Sequence, residues 1–565
     1  MVRWSRVPRA ELVLAVVGFA GCTAVLGIDD IEFGLPAGTG GYGAGPAGGS
    51  GGAGGAGATA GNGGTGGATS CVPDAVESCY DGPAATLDVG ACHAGSHTCN
   101  AAGTGFGPCL GQVVPAVEDC ALPTDDDCDG LVACSGATLA AHAYGGNGTE
   151  LGQAIALDPD GNVLLAGDFS GAVDFGGNPL TSDGYDIYVA KLDAALAHLW
   201  SARFGAAGAQ YAVAIGADAT GAFTFTESIQ GNVDFGGGVL SAPAESPYLA
   251  QLAPDGAHRF SRVFPANSAS SAQALAIAPN GDVLIGGRFA GTVDFGGGNL
   301  TATSNAGDLF VARFDASGTH LASRALPLSA FGARGLTGVA LDSAGNLVAC
   351  GYYTGTLTLG GACGALSGTS DAFVVKLDPA GQCLWAVDFG DGNVQSAWSL
   401  AVDPADQIVV VGRFQGSLTP APLSGPTGDL NAFVMKLASD GAVLWARGAG
   451  GNGTDHAQEV ALDAAGNAVV IGTFAQSLQW TPAPPLTTAG GDDLFVAKLD
   501  PAGNAVWSRG FGGTGNDGEV ASEDVAVDPL GRIYFTAAFA GTVDFGLGPL
   551  QAVAGSDIVV GVLAP

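Results

Sequence analysis

Asp492–Trp507, DDLFVAKLDPAGNAVW, reads as a strand (LFVAKLD), a tight turn at PAG and a second strand opening at NAVW. The same sentence recurs as YDIYVAKLDAALAHLW ending at Trp200, SDAFVVKLDPAGQCLW ending at Trp385 and LNAFVMKLASDGAVLW ending at Trp445. A weaker copy, GDLFVARFDASGTHL, ends at Leu321. One hairpin repeated this often makes an array, and the period of the array decides the fold.

The period is read from the turn between the two strands that open each unit. That turn is LDPDGN (Asp158), ADATGA (Asp218), IAPNGD (with Ala278 in the Asp position), LDSAGN (Asp342), VDPADQ (Asp403), LDAAGN (Asp463) and VDPLGR (Asp528). The spacing is 60 to 65 residues, so seven units fill the 431 residues from 135 onward. The first unit holds four short strands, QAIALD, NVLLAGDF, DIYVAKLD and HLWSARF. Four strands per period, seven times over, predict an all-β chain and a seven-bladed β-propeller. The opening strands (AIALD, LAIAP, GVALD, EVALD) are small and apolar, as strands crowded around a central channel must be. Gly167, Gly287, Gly351, Gly412 and Gly472 recur in the second strand, where close approach of another backbone is expected. The array ends at SDIVVGVLAP, a third strand with no fourth after it, whereas ATLAAHAYGGNG (137–148) aligns with the fourth strand HLWSARFGAAG. The strand at 137–145 is therefore expected to pair into the last blade and close the ring, removing a free edge.

Upstream of the array the chain changes character three times. Arg3, Arg6 and Arg9 precede the apolar run LVLAVVGFAG, which is too short to span a bilayer and reads as the core of a signal peptide over residues 1–21. Its end, Phe19-Ala20-Gly21-Cys22, resembles the bacterial lipobox, with Phe19 in place of the usual Leu. By that resemblance Cys22 is the lipidated first residue of an outer-membrane-anchored protein, periplasmic or at the cell surface. Residues 22–70 are dominated by Gly, Ala, Thr and Ser, a tether with nothing to bury. Its Gly-rich part has a mean reach of roughly 30–35 Å. Residues 71–134 hold Cys71, Cys79, Cys92, Cys99, Cys109, Cys120, Cys128 and Cys134, an even count that in a short exported segment implies a disulfide framework. His93 and His97 raise zinc as the competing reading, but the spacing matches no standard zinc pattern. Asp125, Asp127 and Asp129 alternate ahead of Gly130, as in the opening of a calcium loop, although Gly136 stands where the closing Glu belongs. Calcium is thus the one cofactor left open. CYDGPAATLDVGACHAGSHTCNAAGTGFGPC (79–109) resembles the Cys-rich metal-binding modules of bacterial surface proteins.

Within the array, GTVDFGGG (291–298), GTVDFGLG (541–548), LFVAKLD and the following AGNAVW resemble the seven-bladed β-propeller repeat family, abbreviated SBBP. The resemblance covers 135–565 and is strongest in blades one, three, six and seven. The second unit departs from it, with FTFTESIQ as its second strand. The resemblance implies a bacterial exported protein and implies no particular activity.

Function is less legible. Lys+Arg 18 against Asp+Glu 53 gives a formal charge of −35, which repels nucleic acid phosphates and anionic lipid headgroups. Outside the Gly-rich tether there is no GxSxG, and the chain has no HExxH or phosphate-cradling GK[ST]. Asp174, Asp234, Asp294 and Asp544, and likewise Asp186, Asp308, Asp371, Asp493 and Asp557, recur blade by blade, as turn and strand-start residues do. His142, His198, His258, His320 and His456 read as sharing no register. Cys350, Cys363 and Cys383 of the fourth blade are expected to make one pair and one buried free thiol. The loops that lead from each fourth strand into the next first strand vary most, and Tyr211, Phe331, Arg334 and Trp398 are expected there as anchors on an exposed rim. Trp398 has a second reading, a cap over the channel. The expectation is a monomeric, non-enzymatic propeller that binds a protein or polysaccharide of the cell envelope. The alternatives are an architectural component, marked by seven equivalent faces, and a polysaccharide-active enzyme, marked by carboxylates converging on one side of the channel.

Overall fold

The computed structural model describes residues 71–116, 124–126, 128 and 135–565, apart from 207, 305, 330, 331, 333, 426, 427 and 518–521. The expected signal peptide, Cys22 and the expected tether, together with Cys120 and Cys134, lie outside the described residues. No helix among the described residues is long and apolar enough to cross a membrane.

Each repeat folds into a four-stranded antiparallel sheet, and there are seven such sheets. Blade one runs Ala154–Leu157, Val163–Phe169, Asp186–Leu192 and His198–Phe204; blade four runs Gly335–Leu341, Leu347–Gly360, Gly364–Leu377 and Cys383–Phe389. The first strands of successive blades pack against one another in cyclic order around the axis. The ring closes as the repeat alignment requires: Thr138–Tyr144 pairs antiparallel with Pro549–Leu563, so the last blade takes its fourth strand from the start of the array. Tyr144 also donates its hydroxyl to the Leu196 carbonyl of blade one, at 2.8 Å. The tryptophans that end the repeated hairpin do the same for other seams. Trp200, Trp385, Trp445 and Trp507 donate Nε1–H to the carbonyls of Pro254, Ser439, Pro501 and Pro565, each in the following blade, at 3.0–3.2 Å.

The hydrophobic core lies mostly in the seams between blades. Phe175, Phe235, Phe295 and Phe545 of the VDFG turns are buried there, against Tyr188, Tyr248, Phe310 and Phe535. The aspartates of these turns are structural: Asp174, Asp234, Asp294 and Asp544 accept the backbone N–H of Gly176, Gly236, Gly296 and Gly546 at 2.7–2.8 Å.

At one end of the ring, every blade carries an ion pair under its first turn. Asp158, Asp342, Asp403 and Asp463 pair with Lys191, Lys376, Lys436 and Lys498 of the third strand at 2.7–3.1 Å, with little or no exposure on either partner. Where the sequence departs, another residue restores the charge. Blade three has Ala278 in the Asp position, and Asp282 meets Arg313 at 2.9 Å instead. Blade seven has Val562 in the Lys position, and Arg532 meets Asp528 at 2.6 Å. In blade two Gln251 replaces Lys, and Asp218 lies 3.7 Å from Arg259. Burial pushes the carboxyls of Asp158 and Asp342 up, but bonds from the lysine and from Asn162 or Asn346 outweigh it and hold both below the usual range.

The Cys-rich segment, taken alone, is a small two-stranded ribbon of Val76–Cys79 and Gly95–Thr98. Disulfides Cys71–Cys99 and Cys79–Cys109 fasten it, and Cys92 and Cys128 are also disulfide-bonded. So small a segment holds too little apolar surface to fold without such staples. In blade four Cys363 and Cys383 are bonded, and Cys350 is a buried free thiol.

Candidate binding face

The opposite end of the ring, where first strands begin and second strands finish, is built on a bulge. In blades two to six the pairing of first and second strands slips by one residue, leaving Val213, Gln273, Thr337, Trp398 and Gln458 unpaired in the ladder. The bulge drives a carbonyl toward the second strand, which explains the recurring glycines. A Cβ at Gly287, Gly351, Gly412 or Gly472 would run into the carbonyl oxygen of Ser271, Gly335, Ser396 or His456. Blade two has Glu227 at this position and blade seven has Ala537.

The residue after that glycine differs from blade to blade: Asp168, Ser228, Arg288, Tyr352, Arg413, Thr473 and Ala538. This end therefore breaks the sevenfold pattern that the ion-pair end preserves. Blades one and two hold one group of acidic residues at this end. The Ser228 hydroxyl donates to Glu227 Oε2 at 2.5 Å and reaches Glu245 Oε1 at 3.4 Å, and Gln153 donates to Asp168. Burial, followed by the charges of Glu245 and Asp168, holds the Glu227 carboxyl well above its ordinary range. Basic and aromatic groups collect in blades three to six. Arg413 lies over the Trp398 ring at 5.3 Å, and Arg413 Nη1 approaches His456 Nε2 at 3.4 Å. Trp398 lies between Tyr352 and His456, with ring centroids 6.4 and 6.2 Å away.

Below this face, the first strands enclose an axial cavity of about 190 Å³, lined in part by Gln153, Gln273, Thr337, Ser399, Glu459 and Asp524. Ser399 donates its hydroxyl to Glu459, and Asp524 accepts the N–H of Ile155 (2.7 Å) and of Val525 (2.7 Å). Burial pushes both carboxyls up, and the charge of Asp524 pushes Glu459 further.

The expected anchors are placed as follows. Trp398 (2% exposed) and Arg334 (5% exposed) are buried, not on an exposed rim. The bulge turns Trp398 inward among Tyr352, Arg413 and His456, and Arg334 reaches down to donate to the carbonyls of Gly307 (2.8 Å) and Gly332 (3.1 Å), tethering its loop. Tyr211 is half-buried, with its ring 6.3 Å from that of Tyr185. Phe331 lies outside the described residues. Of the calcium candidates, Asp125 is buried and Asp127 and Asp129 lie outside the described residues. No group of three or more His, Cys, Asp or Glu suited to a metal ion is present among the described residues.

The histidines also require a correction. His198, His258 and His320 do share a register: each opens a fourth strand and shares a hydrogen bond with the serine three residues on (Ser201, Ser261, Ser323) at 3.0–3.1 Å. Each also lies over the glycine after its VDFG turn, Gly177, Gly237 or Gly297. They are packing residues of the repeat. His456 is different. It lies at the varied end, nine-tenths buried, where burial and the charge of Arg413 keep the imidazole neutral, with its pKa down at about 3. Arg413, Glu227, Glu459 and Asp524 do not stand out in the sequence. The available signal was register, because Glu459 and Asp524 occupy the place of Ala154, Ala214 and Ala274 in other blades.

No family model matches the chain. A 120-residue stretch is 29% identical to an uncharacterized WD repeat-containing protein (L264) of Acanthamoeba polyphaga mimivirus. That match covers 20% of this chain and 9% of the relative, so the chain spans less than a tenth of the curated protein it matches. Among solved structures, the Pan2 WD40 domain of Neurospora crassa is 11% identical, with 74% of this chain and 90% of that one covered and a TM-score of 0.35. A polysaccharide lyase of family PL25, an ulvan lyase, is 10% identical over 74% of this chain and 97% of that one, with a TM-score of 0.37. The phage phi92 endosialidase is 8% identical over 77% and 70%, with a TM-score of 0.36.

Proposed function

We propose that this chain is an exported, non-enzymatic binding module, a monomeric propeller of the SBBP type held to the outer membrane by lipid on Cys22. It takes a protein or polysaccharide of the cell envelope at the end of the ring where second strands finish. One observation carries this reading: the seven blades are alike at the ion-pair end and unlike at the other. A purely architectural ring has no need of that asymmetry, whereas a recognition surface requires it. The disulfides fit an oxidising compartment. The VDFG and LFVAKLD repeats support the SBBP assignment.

The test is an array of envelope proteins and of neutral and acidic polysaccharides, probed with the full exported chain in calcium and in chelator. The expected result is a hit that Trp398→Ala abolishes and that Ser317→Ala, on a turn at the ion-pair end, leaves intact. A blank array in both conditions would move the weight to the architectural role. The Glu227–Glu245 pair, joined by one hydroxyl, favours one second reading, a polysaccharide-active enzyme. Release of oligosaccharides by the wild type and its loss in Glu227→Gln would establish that reading.

A further inference from the structure

Arg413 is a buried cation with no anion. It is 6% exposed, no carboxylate among the described residues pairs with it, and its guanidinium lies over the Trp398 ring and against His456 Nε2, with Tyr352 also in electrostatic reach. The cations under the first turns at the ion-pair end each have an aspartate within 4 Å. A guanidinium removed from water without a counter-charge carries a large desolvation cost, and such groups occur where something else supplies the negative charge.

The neighbours ask for the same thing. Because Arg413 has only donors, the contact at 3.4 Å makes His456 Nε2 the acceptor, so Nδ1 carries the imidazole proton. That Nδ1–H, the Nε1–H of Trp398 and the Nε–H of Arg413 are all buried donors with no acceptor among the described residues. The three residues are 4%, 2% and 6% exposed and touch one another. Three orphan donors and an unpaired positive charge in one cluster match a group that offers several acceptors and a negative charge. Trp398 is followed directly by Ser399 and Leu400, which line the axial cavity, so the cluster adjoins the channel.

We infer that Arg413, Trp398 and His456 form an oxyanion-binding site between blades five and six, which receives the carboxylate, sulfate or phosphate group of the ligand. The inference rests on the binding reading above and names the chemistry its ligand must carry.

Isothermal titration of the full exported chain at constant ionic strength tests it, with sodium sulfate, sodium phosphate and a glucuronic acid disaccharide as the titrants. Saturable binding of at least one titrant is expected. Arg413→Gln should weaken it more than about tenfold, through loss of a charge-assisted bond. Trp398→Phe keeps the ring and removes one donor, so about five- to tenfold weakening is expected. If Arg413→Gln does not fold, the Trp398→Phe titration decides. A disaccharide bound at least tenfold more tightly than sulfate identifies an acidic saccharide as the source of the group, and comparable affinities identify a free oxyanion. No saturable heat with any titrant, or affinities unchanged in the folded variants, overturns the site. If the envelope array is blank while sulfate binds, the oxyanion site stands and the envelope-binding reading falls. An array hit unaffected by Arg413→Gln leaves the envelope-binding reading standing and removes the oxyanion site from it.

Discussion

Replacing Asp342 by alanine removes four acceptor contacts at once. Oδ1 accepts the N–H of Ala344 (3.0 Å) and Asn346 (2.7 Å), and Oδ2 accepts Asn346 Nδ2 (2.7 Å) and lies 2.8 Å from Lys376 Nζ. The side chains of Asp342 and Lys376 are 2% and 7% exposed, so neither charge has water to fall back on. After the substitution the ammonium keeps only the Ser439 carbonyl of the next blade, at 3.2 Å. Breaking a buried pair by removing one partner costs about 3–5 kcal/mol, against about 0–1 kcal/mol for an exposed pair. The double variant Asp342→Ala/Lys376→Met removes the stranded charge and should recover most of that loss. Urea unfolding followed by tryptophan fluorescence measures both. A single variant within about 1 kcal/mol of wild type, or a double variant no better than the single, would refute the claim that these pairs are desolvated structural bonds.

Gly412→Ala should destabilise by about 2 kcal/mol or more, since its Cβ meets the Ser396 carbonyl, whereas Gly428→Ala, which meets nothing, should be near neutral by the same unfolding assay. A chain lacking residues 135–145 leaves the Pro549–Leu563 strand as an open edge, and size-exclusion chromatography should show it self-associating. Stability should fall as pH rises. Burial raises Asp455 and Glu150 to about 7, so the native state holds protons that the unfolded chain releases above about pH 4–4.5. Their contribution is present in full below that point and is lost as pH rises through 7. Thermal melts of Asp455→Asn between pH 5 and 8 should show a shallower decline than wild type.

The fold was legible because the repeat speaks seven times. LFVAKLD, the Asp-Pro-x-Gly turns and the missing fourth strand at Pro565 fix blade count, strand count and closure. The buried ion pairs were legible in principle, since Lys191, Lys376, Lys436 and Lys498 recur at one place in the repeat, but pairing a lysine with an aspartate about thirty-three residues earlier needs the hairpin's register. The candidate site was harder, for a physical reason. A repeat alignment shows what the blades share, and this site consists of what they do not share. Arg413 occupies the place of Arg288 in an almost identical VGRF/GGRF string, yet only Arg413 sits against Trp398 and a histidine. Arg334 and Trp398 depart from the local pattern, but the burial of Trp398 depends on a bulge whose sequence signature is weak, and that of Arg334 on carbonyls of Gly307 and Gly332 that only the folded loop presents.

A crystal structure of the wild-type protein grown with sodium selenate, recorded at the selenium absorption edge, would look at the oxyanion site itself. An anomalous peak is predicted within hydrogen-bonding distance of the Arg413 guanidinium, with Trp398 Nε1 and His456 Nδ1 turned toward it. Selenium density only elsewhere on the surface, with Arg413 paired to a carboxylate of its own chain, would contradict the assignment.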